Sequence, residues 1–216
     1  MTAELERGLR EGLADLGLVL ADAQVSQLLA YQALIAKWNQ VYNLTAVRDP
    51  QEMLTHHLLD SLAVVLPLRQ QLAGRTTLLD VGSGAGLPGV VLAITCPELT
   101  VTCVDTVAKK AAFIQQAAVS LGLPHLKGLH ARVETLSGPY DVISSRAFSS
   151  LPDFVKGSRQ ALAPQGVWMA MKGKHPQTEL SALPADVDVF HVEPLTVPGL
   201  SAERCIVWMR LAAQDS

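Results

Sequence analysis

The sequence predicts an α/β fold: a Rossmann-like seven-stranded sheet preceded by an N-terminal helical cap. Three observations carry this expectation. From residue 76 onward, short β-rich runs alternate with helical stretches, the pattern of a parallel sheet covered on both faces. An apolar strand, Leu78-Leu79-Asp80-Val81, runs directly into a glycine-rich turn, Gly82-Ser83-Gly84-Ala85-Gly86-Leu87-Pro88-Gly89. Ahead of both, residues 2 to 70 carry helical periodicity and no strand signal.

Taken in order, the cap begins with a first helix and continues with a second in which Val25, Leu28, Tyr31, Ile35 and Trp38 recur at spacings of three and four, one apolar face. The chain breaks at Asn43-Leu44-Thr45 and restarts at Asp49-Pro50-Gln51-Glu52, where Asp can cap, Pro suits the first helical position and Glu the third. A single helix is expected from there to about Leu66. Strands follow near 77–81, 100–104, 126–130, 140–145, 166–171, 187–193 and 204–210, the last two as a hairpin. Helices fill the intervals near 88–95, 108–121, 151–162 and 176–182, with Gly122 and Pro124 closing the second of these. Two segments are expected: residues 1–70 as a cap packed on the catalytic unit, and 71–216 as that unit.

Composition narrows the function. The 216 residues are 49% hydrophobic and 17% charged, which excludes a disordered or low-complexity chain. No window reaches the roughly 18 uninterrupted apolar residues of a membrane span, so neither an anchor nor a leader is expected, and the expected home is the cytoplasm. Cys96, Cys103 and Cys205 are odd in number and lack CxxC spacing, so neither a disulfide framework nor a zinc site is implied. His56 and His57 are adjacent, and neighbouring residues on a helix point about 100° apart, so no metal site is expected there. The formal charge of -3 argues against a broad nucleic-acid footprint. Any RNA contact must use a local patch, for which Lys109, Lys110, Arg132, Arg146, Lys156, Arg159, Lys172, Lys174 and Arg204 are candidates; ordinary solvated charge is the alternative for each.

The glycine loop carries the chemistry. Gly82, Gly84 and Gly86 permit tight backbone conformations and put no side chain between the main chain and a bound group, while the helix start is expected to offer free N–H donors. Asp105 ends the next strand, where a carboxylate can accept from both hydroxyls of a ribose. These features also fit a dinucleotide site, because Gly84-x-Gly86-x-x-Gly89 satisfies that fingerprint. Asp80, expected to face the ligand, favours a cationic sulfonium with an amino-acid tail over a diphosphate.

Further motifs lie in order along nearly the whole chain: Trp38-Asn39 to Tyr42-Asn43-Leu44-Thr45, Val47-Arg48-Asp49-Pro50, His57-Leu58-Leu59-Asp60-Ser61, the glycine loop, Arg132-Val133-Glu134, Ser145-Arg146-Ala147-Phe148 and Met171-Lys172-Gly173. On these the chain resembles the RsmG family (glucose-inhibited division protein B), the 16S ribosomal RNA guanine-N7 methyltransferases. The resemblance implies a class I S-adenosylmethionine-dependent methyltransferase fold with an N-terminal helical cap. It implies transfer of a methyl group from S-adenosylmethionine to N7 of a guanine in the 530 loop of bacterial 16S rRNA, position 527 by rRNA convention. It also implies cofactor contacts at Gly82, Leu87, Val133, Glu134 and Arg146, to which the residue chemistry adds Asp80, Gly84, Gly86 and Asp105. The partner is then 16S rRNA within the small subunit or an assembly intermediate, and the enzyme is expected to work as a monomer. Two positions depart from the family pattern: Cys205 replaces its usual histidine, and Cys103-Val104-Asp105-Thr106 replaces Leu-Leu-Asp-Ser while keeping the acid.

The residues after the fourth strand bear on which atom is methylated. Exocyclic amines call for an acceptor motif at that place, and an arginine cannot accept a hydrogen bond. Pyrimidine C5 chemistry calls for a presented thiolate, whereas Cys96 lies in an apolar helix and reads as core. Guanine N7 needs neither, since it has a lone pair and no proton. Arg146, Lys172 and Phe148 are the candidates for placing the guanine, with packing the alternative for Phe148; Asn43 and Asp60 either brace the cap or serve substrate. A nicotinamide-dependent oxidoreductase and a non-catalytic ribosome assembly factor remain the rival classes.

Overall fold

The computed structural model describes residues 2–146, 148 and 150–213; Ala147 of the Ser-Arg-Ala-Phe motif lies outside the described residues. The cap consists of α1 (Thr2–Asp15), α2 (Asp22–Tyr42), α3 (Pro50–Met53), a π-helical turn (Leu54–Leu59), α4 (Asp60–Leu62) and α5 (Val65–Leu72). Asn43 ends α2 in the left-handed conformation, at φ 49°, and the Asp49 carboxylate accepts from the amides of Gln51 and Glu52 at the start of α3. Both signals were legible. The single helix expected to Leu66 is instead broken after Leu62, and Pro67 is the reason: with no N–H to donate and a ring that crowds the preceding turn, it fits only in the first turn of a new helix.

The remainder of the chain contains β1 (Thr77–Val81), α6 (Gly89–Thr95), β2 (Thr100–Asp105), α7 (Ala108–Ser120), β3 (Leu126–His130), β4 (Tyr140–Ser145), α8 (Leu151–Ser158), β5 (Leu162–Lys172), α9 (Gln177–Ser181), β6 (Val187–Leu195) and β7 (Arg204–Leu211). The seven strands lie in the order β3-β2-β1-β4-β5-β7-β6. The first five run parallel, and β7 runs antiparallel to both β5 and β6. The order reverses at β1 and β4, so their carboxyl ends face a crevice, the place where such sheets bind ligands. β5 starts four residues before the expected position: Pro164-Gln165-Gly166 lacks strand propensity, yet Leu162 already pairs with Tyr140 across an irregularity in register.

Side chains alternate between the two faces of each strand. Leu78, Val101, Val142 and Met169 point to one face, where Val91, Phe113 and Ile114 join Leu9, Leu28, Tyr31, Ile35, Leu58 and Leu62 of the cap in one continuous core. Leu79, Ile143, Trp168 and Val207 point to the other, covered by Phe154 and Val155 of α8. Among the described residues no helix is long and apolar enough to cross a membrane.

Candidate functional site

At the carboxyl ends of β1, β2 and β3 a cleft of about 460 Å³ is lined by Gly82, Asp105, Lys110, Val133, Glu134 and Phe148, among others. Of the glycine loop, Gly82 lines it. Gly82 and Gly84 adopt φ of 65° and 60°, and a Cβ on either would meet no protein atom within 4 Å; at Gly82, which lines the cleft, that carbon would occupy ligand space. The loop is shaped from within: Gly84 N–H donates to Asp105 Oδ2 at 2.9 Å, Gly82 N–H to Val104 O, and the Gly86 and Leu87 amides to Ser83 O. Asp105 Oδ1 accepts from Val107 N–H at 2.8 Å, and Lys110 Nζ stands 4.0 Å from Oδ2.

Two expectations require correction here. The first residue of α6 does not offer its amide to a ligand, because Gly89 N–H donates to Asp80 Oδ2 at 3.0 Å. Asp80 in turn does not face the cleft. It is fully buried, lies in register with Ser144 on β4, and accepts from the Ser144 hydroxyl at 2.8 Å. The close approach of α6 to β1 at Gly89, where a Cβ would run into Cys103 and Asp80, leaves the carboxylate no path outward. Burial pushes its pKa up from the ordinary 3.8 to about 7, against the opposing pull of Ser144, Gly89 and the Arg146 charge. Asp80 therefore holds the strand–helix junction, and the charge argument that set it against a diphosphate carries no weight in this geometry.

Gly84, Gly86 and Leu87 build the loop without lining the cleft. Tyr31 of the cap secures it: its hydroxyl, fully buried, donates to Ala85 O at 2.6 Å. Val133 is buried in a short 3-10 turn that presents Glu134 to the cleft. An adenosine offers two ribose hydroxyls and an exocyclic amine, all donors, and this cleft offers the acceptors Asp105 and Glu134 beside bare glycine backbone. The residues present fit S-adenosylmethionine.

Arg146 is not in this cleft. It lines a second cavity of about 370 Å³ with His56, Asp60, Met171, Lys172, Gly173 and Arg204. Its Nη1 donates to His56 O at 2.9 Å and to Asp60 Oδ2 at 3.2 Å, while Arg204 Nε donates to Asp60 Oδ1 at 2.8 Å. Lys172 Nζ pairs with Glu179 Oε2 at 2.8 Å, the same oxygen that accepts from Leu151 N–H. Phe148, packed on Phe154 with ring centroids 5.6 Å apart, lines the first cleft and lies beside Met171 and Lys172. Phe148 thus packs against Phe154 and borders the cleft as well.

The predicted basic patch divides. Lys110 and Arg132 line the cleft, and Arg146, Lys172 and Arg204 line the second cavity. Lys109 sits over the Tyr42 ring, 5.6 Å from its centroid. Arg159 leaves the group, since α8 ends in a 3-10 turn that carries it to Asp186, at the opposite end of the sheet. At that end a larger cavity, about 750 Å³, contains none of the predicted site residues; there Arg75 is bound to the Gln71 and Gln165 carbonyls and Arg210 to Asp188.

Asn43 accepts from Arg48 within the cap, and His57 Nε2 lies 2.8 Å from Thr45 Oγ1. Cys205 is buried with Sγ 3.7 Å from Lys174 O. Sequence reasoning missed Glu179 and the Tyr31 hydroxyl. Nothing in the sequence marks Glu179, but a tyrosine in a fully apolar stripe is itself a signal, because its buried O–H must find an acceptor.

Comparison with known proteins accords with this geometry. The family described as "GidB: rRNA small subunit methyltransferase G" matches residues 24–207. A ribosomal RNA small subunit methyltransferase G of Acidovorax ebreus (strain TPSY) is 69% identical over 218 residues, covering 97% of this chain and 96% of the relative. One of Albidiferax ferrireducens is 67% identical, covering 97% and 99%. Among solved structures, TrmN from Thermus thermophilus superimposes with a TM-score of 0.55 at 18% identity over 73% of this chain and 53% of that one. A SAM-dependent methyltransferase from Aquifex aeolicus does so at 0.54 and 18%, over 76% and 94%; both show the shared fold. With the cleft, the glycine loop and the order of the sheet, the matching family and relatives lead to one conclusion: this chain belongs to the rRNA small subunit methyltransferase G family.

Proposed function

We propose that this S-adenosylmethionine-dependent methyltransferase transfers a methyl group to N7 of a guanine in the 530 loop of 16S rRNA, position 527. It does so as a cytoplasmic monomer acting on small-subunit particles, with residues 1–70 as a cap on the catalytic unit. The observation that carries this reading is the junction at Phe148. There Phe148, which lines a cleft whose acceptors suit adenosine, lies beside Met171 and Lys172, which line a second cavity with Arg146 and Arg204.

When bound, S-adenosylmethionine supplies an electrophilic methyl group on a sulfonium. The protein's part is binding and alignment. Asp105 accepts from the ribose hydroxyls, Glu134 from the adenine amine, and the bare backbone at Gly82 admits the ligand close to the strand end. On the acceptor side, N7 presents a lone pair and carries no proton, so the protein has none to remove. Arg146 and Lys172 are donors suited to the O6 edge or to phosphates, and Phe148 supplies a flat apolar face. Alignment of this kind can lower the barrier by about 7 kcal/mol or more.

The test is reaction of the purified protein and S-adenosylmethionine with small-subunit particles lacking the modification, followed by N7-methylguanine-specific reduction and strand cleavage. One cleavage in the 530 loop, far stronger on particles than on a free hairpin, is expected, because RNA is read by shape and exposed bases. Scattered cleavage, or methyl groups on an exocyclic amine, overturns the reading.

A further inference from the structure

The second cavity has an organisation that methyl transfer alone does not explain. Asp60, its side chain 3% exposed, lies between two arginines that belong to distant parts of the chain. One carboxylate can neutralise only one guanidinium, so the trio leaves one positive charge on a cavity of about 370 Å³. Among the described residues, each arginine spends two of its five N–H groups on protein: Arg146 on Asp60 and the His56 carbonyl, Arg204 on Asp60 and the Glu203 carbonyl. Both are thereby held in orientation while remaining about one-quarter exposed, at 25% and 24%.

The cap backbone is shaped to this end. In a regular α-helix the Asp60 amide would bond to the His56 carbonyl, four residues back. In the π-helical turn that amide bonds to Thr55 O and His57 O instead, and the His56 carbonyl accepts from Arg146. Such turns recur at functional sites.

We propose that Asp60 is a positioning residue for the RNA substrate: it holds Arg146 and Arg204 as a paired clamp for one phosphodiester next to the base being methylated. The proposal rests on the function given above. A phosphodiester carries one negative charge, matching the charge left on the trio, and guanidinium forks suit its oxygens. Lys172, also lining the cavity, is neutralised by Glu179 and leaves that balance unchanged.

The experiment measures binding of a 530-loop RNA hairpin across a salt series for the full chain and for Asp60→Asn, Arg204→Ala and the double variant, with S-adenosylmethionine affinity measured calorimetrically on each. Arg204→Ala is expected to reduce the slope of log K against log salt by about 0.7, one phosphate's share for a single strand. Asp60→Asn adds net positive charge yet is expected to weaken RNA binding at least fivefold, with cofactor affinity unchanged within twofold. Asp60→Asn is expected to cost less RNA affinity in the Arg204→Ala background than in the wild type, because only Arg146 is then left to release. Tighter RNA binding by Asp60→Asn would show that charge alone governs the cavity, and a parallel loss of cofactor affinity would show a structural role; either overturns the clamp. Expected binding results from a wild-type protein that methylates no small-subunit RNA would support the clamp and refute the assigned reaction, so the two failures are distinct.

Discussion

Replacing Asp80 with asparagine tests whether its buried carboxylate supports the fold as an ion. Burial raises its pKa from 3.8 to about 7 in the folded protein, so over that interval the unfolded chain has already released a proton that the folded chain keeps. Stability contributed by this group is present below pH about 4 and is lost as pH rises through about 7. Three pKa units correspond to roughly 4 kcal/mol at about 1.4 kcal/mol per unit. Asparagine has the same shape, can still accept from the Gly89 amide, and does not titrate. The difference in unfolding free energy, variant minus wild type, should therefore grow with pH by a few kcal/mol between pH 4 and 8. Urea denaturation at half-unit intervals measures it. His57, whose protonation burial disfavours, acts in both proteins and cancels. A difference that stays flat over this range would refute the assignment of a raised pKa to Asp80.

Three other substitutions follow from the same loop. Tyr31→Phe leaves the Ala85 carbonyl without its 2.6 Å partner, which should cost about 1–3 kcal/mol in urea unfolding; unchanged stability would remove the tyrosine from its role as a brace. Gly86→Ala puts a Cβ into the Val90 side chain at φ 92°, and left-handed strain plus overpacking should cost about 2–4 kcal/mol. Gly82→Ala, by contrast, meets no protein atom within 4 Å but projects into the cleft, so calorimetry should show cofactor affinity falling more steeply than stability. Equal stability losses for both alanine variants, with cofactor affinity intact, would contradict the division of the loop into a structural and a binding glycine.

What the sequence determined by itself was whatever a few neighbouring residues decide. The break at Asn43, the cap at Asp49, the strand running into glycines at Gly82 and the acid at Asp105 are short-range events, each governed by local sterics or one turn of hydrogen bonding. Alternation of strand and helix then implied the parallel sheet, and its crevice followed from connection rules. Tertiary structure decided where the charged side chains went. Asp80 was read as facing ligand, but register with Ser144 and the approach of Gly89 turned it inward. Arg146 meets Asp60 across 86 positions, and Arg204 meets the same carboxylate across 144. Glu179 had no local signature and is placed only by Lys172 and the start of α8. A buried charge is set by whichever partner the packed chain brings to it, and that partner lies far away in sequence, where no local period or motif can name it.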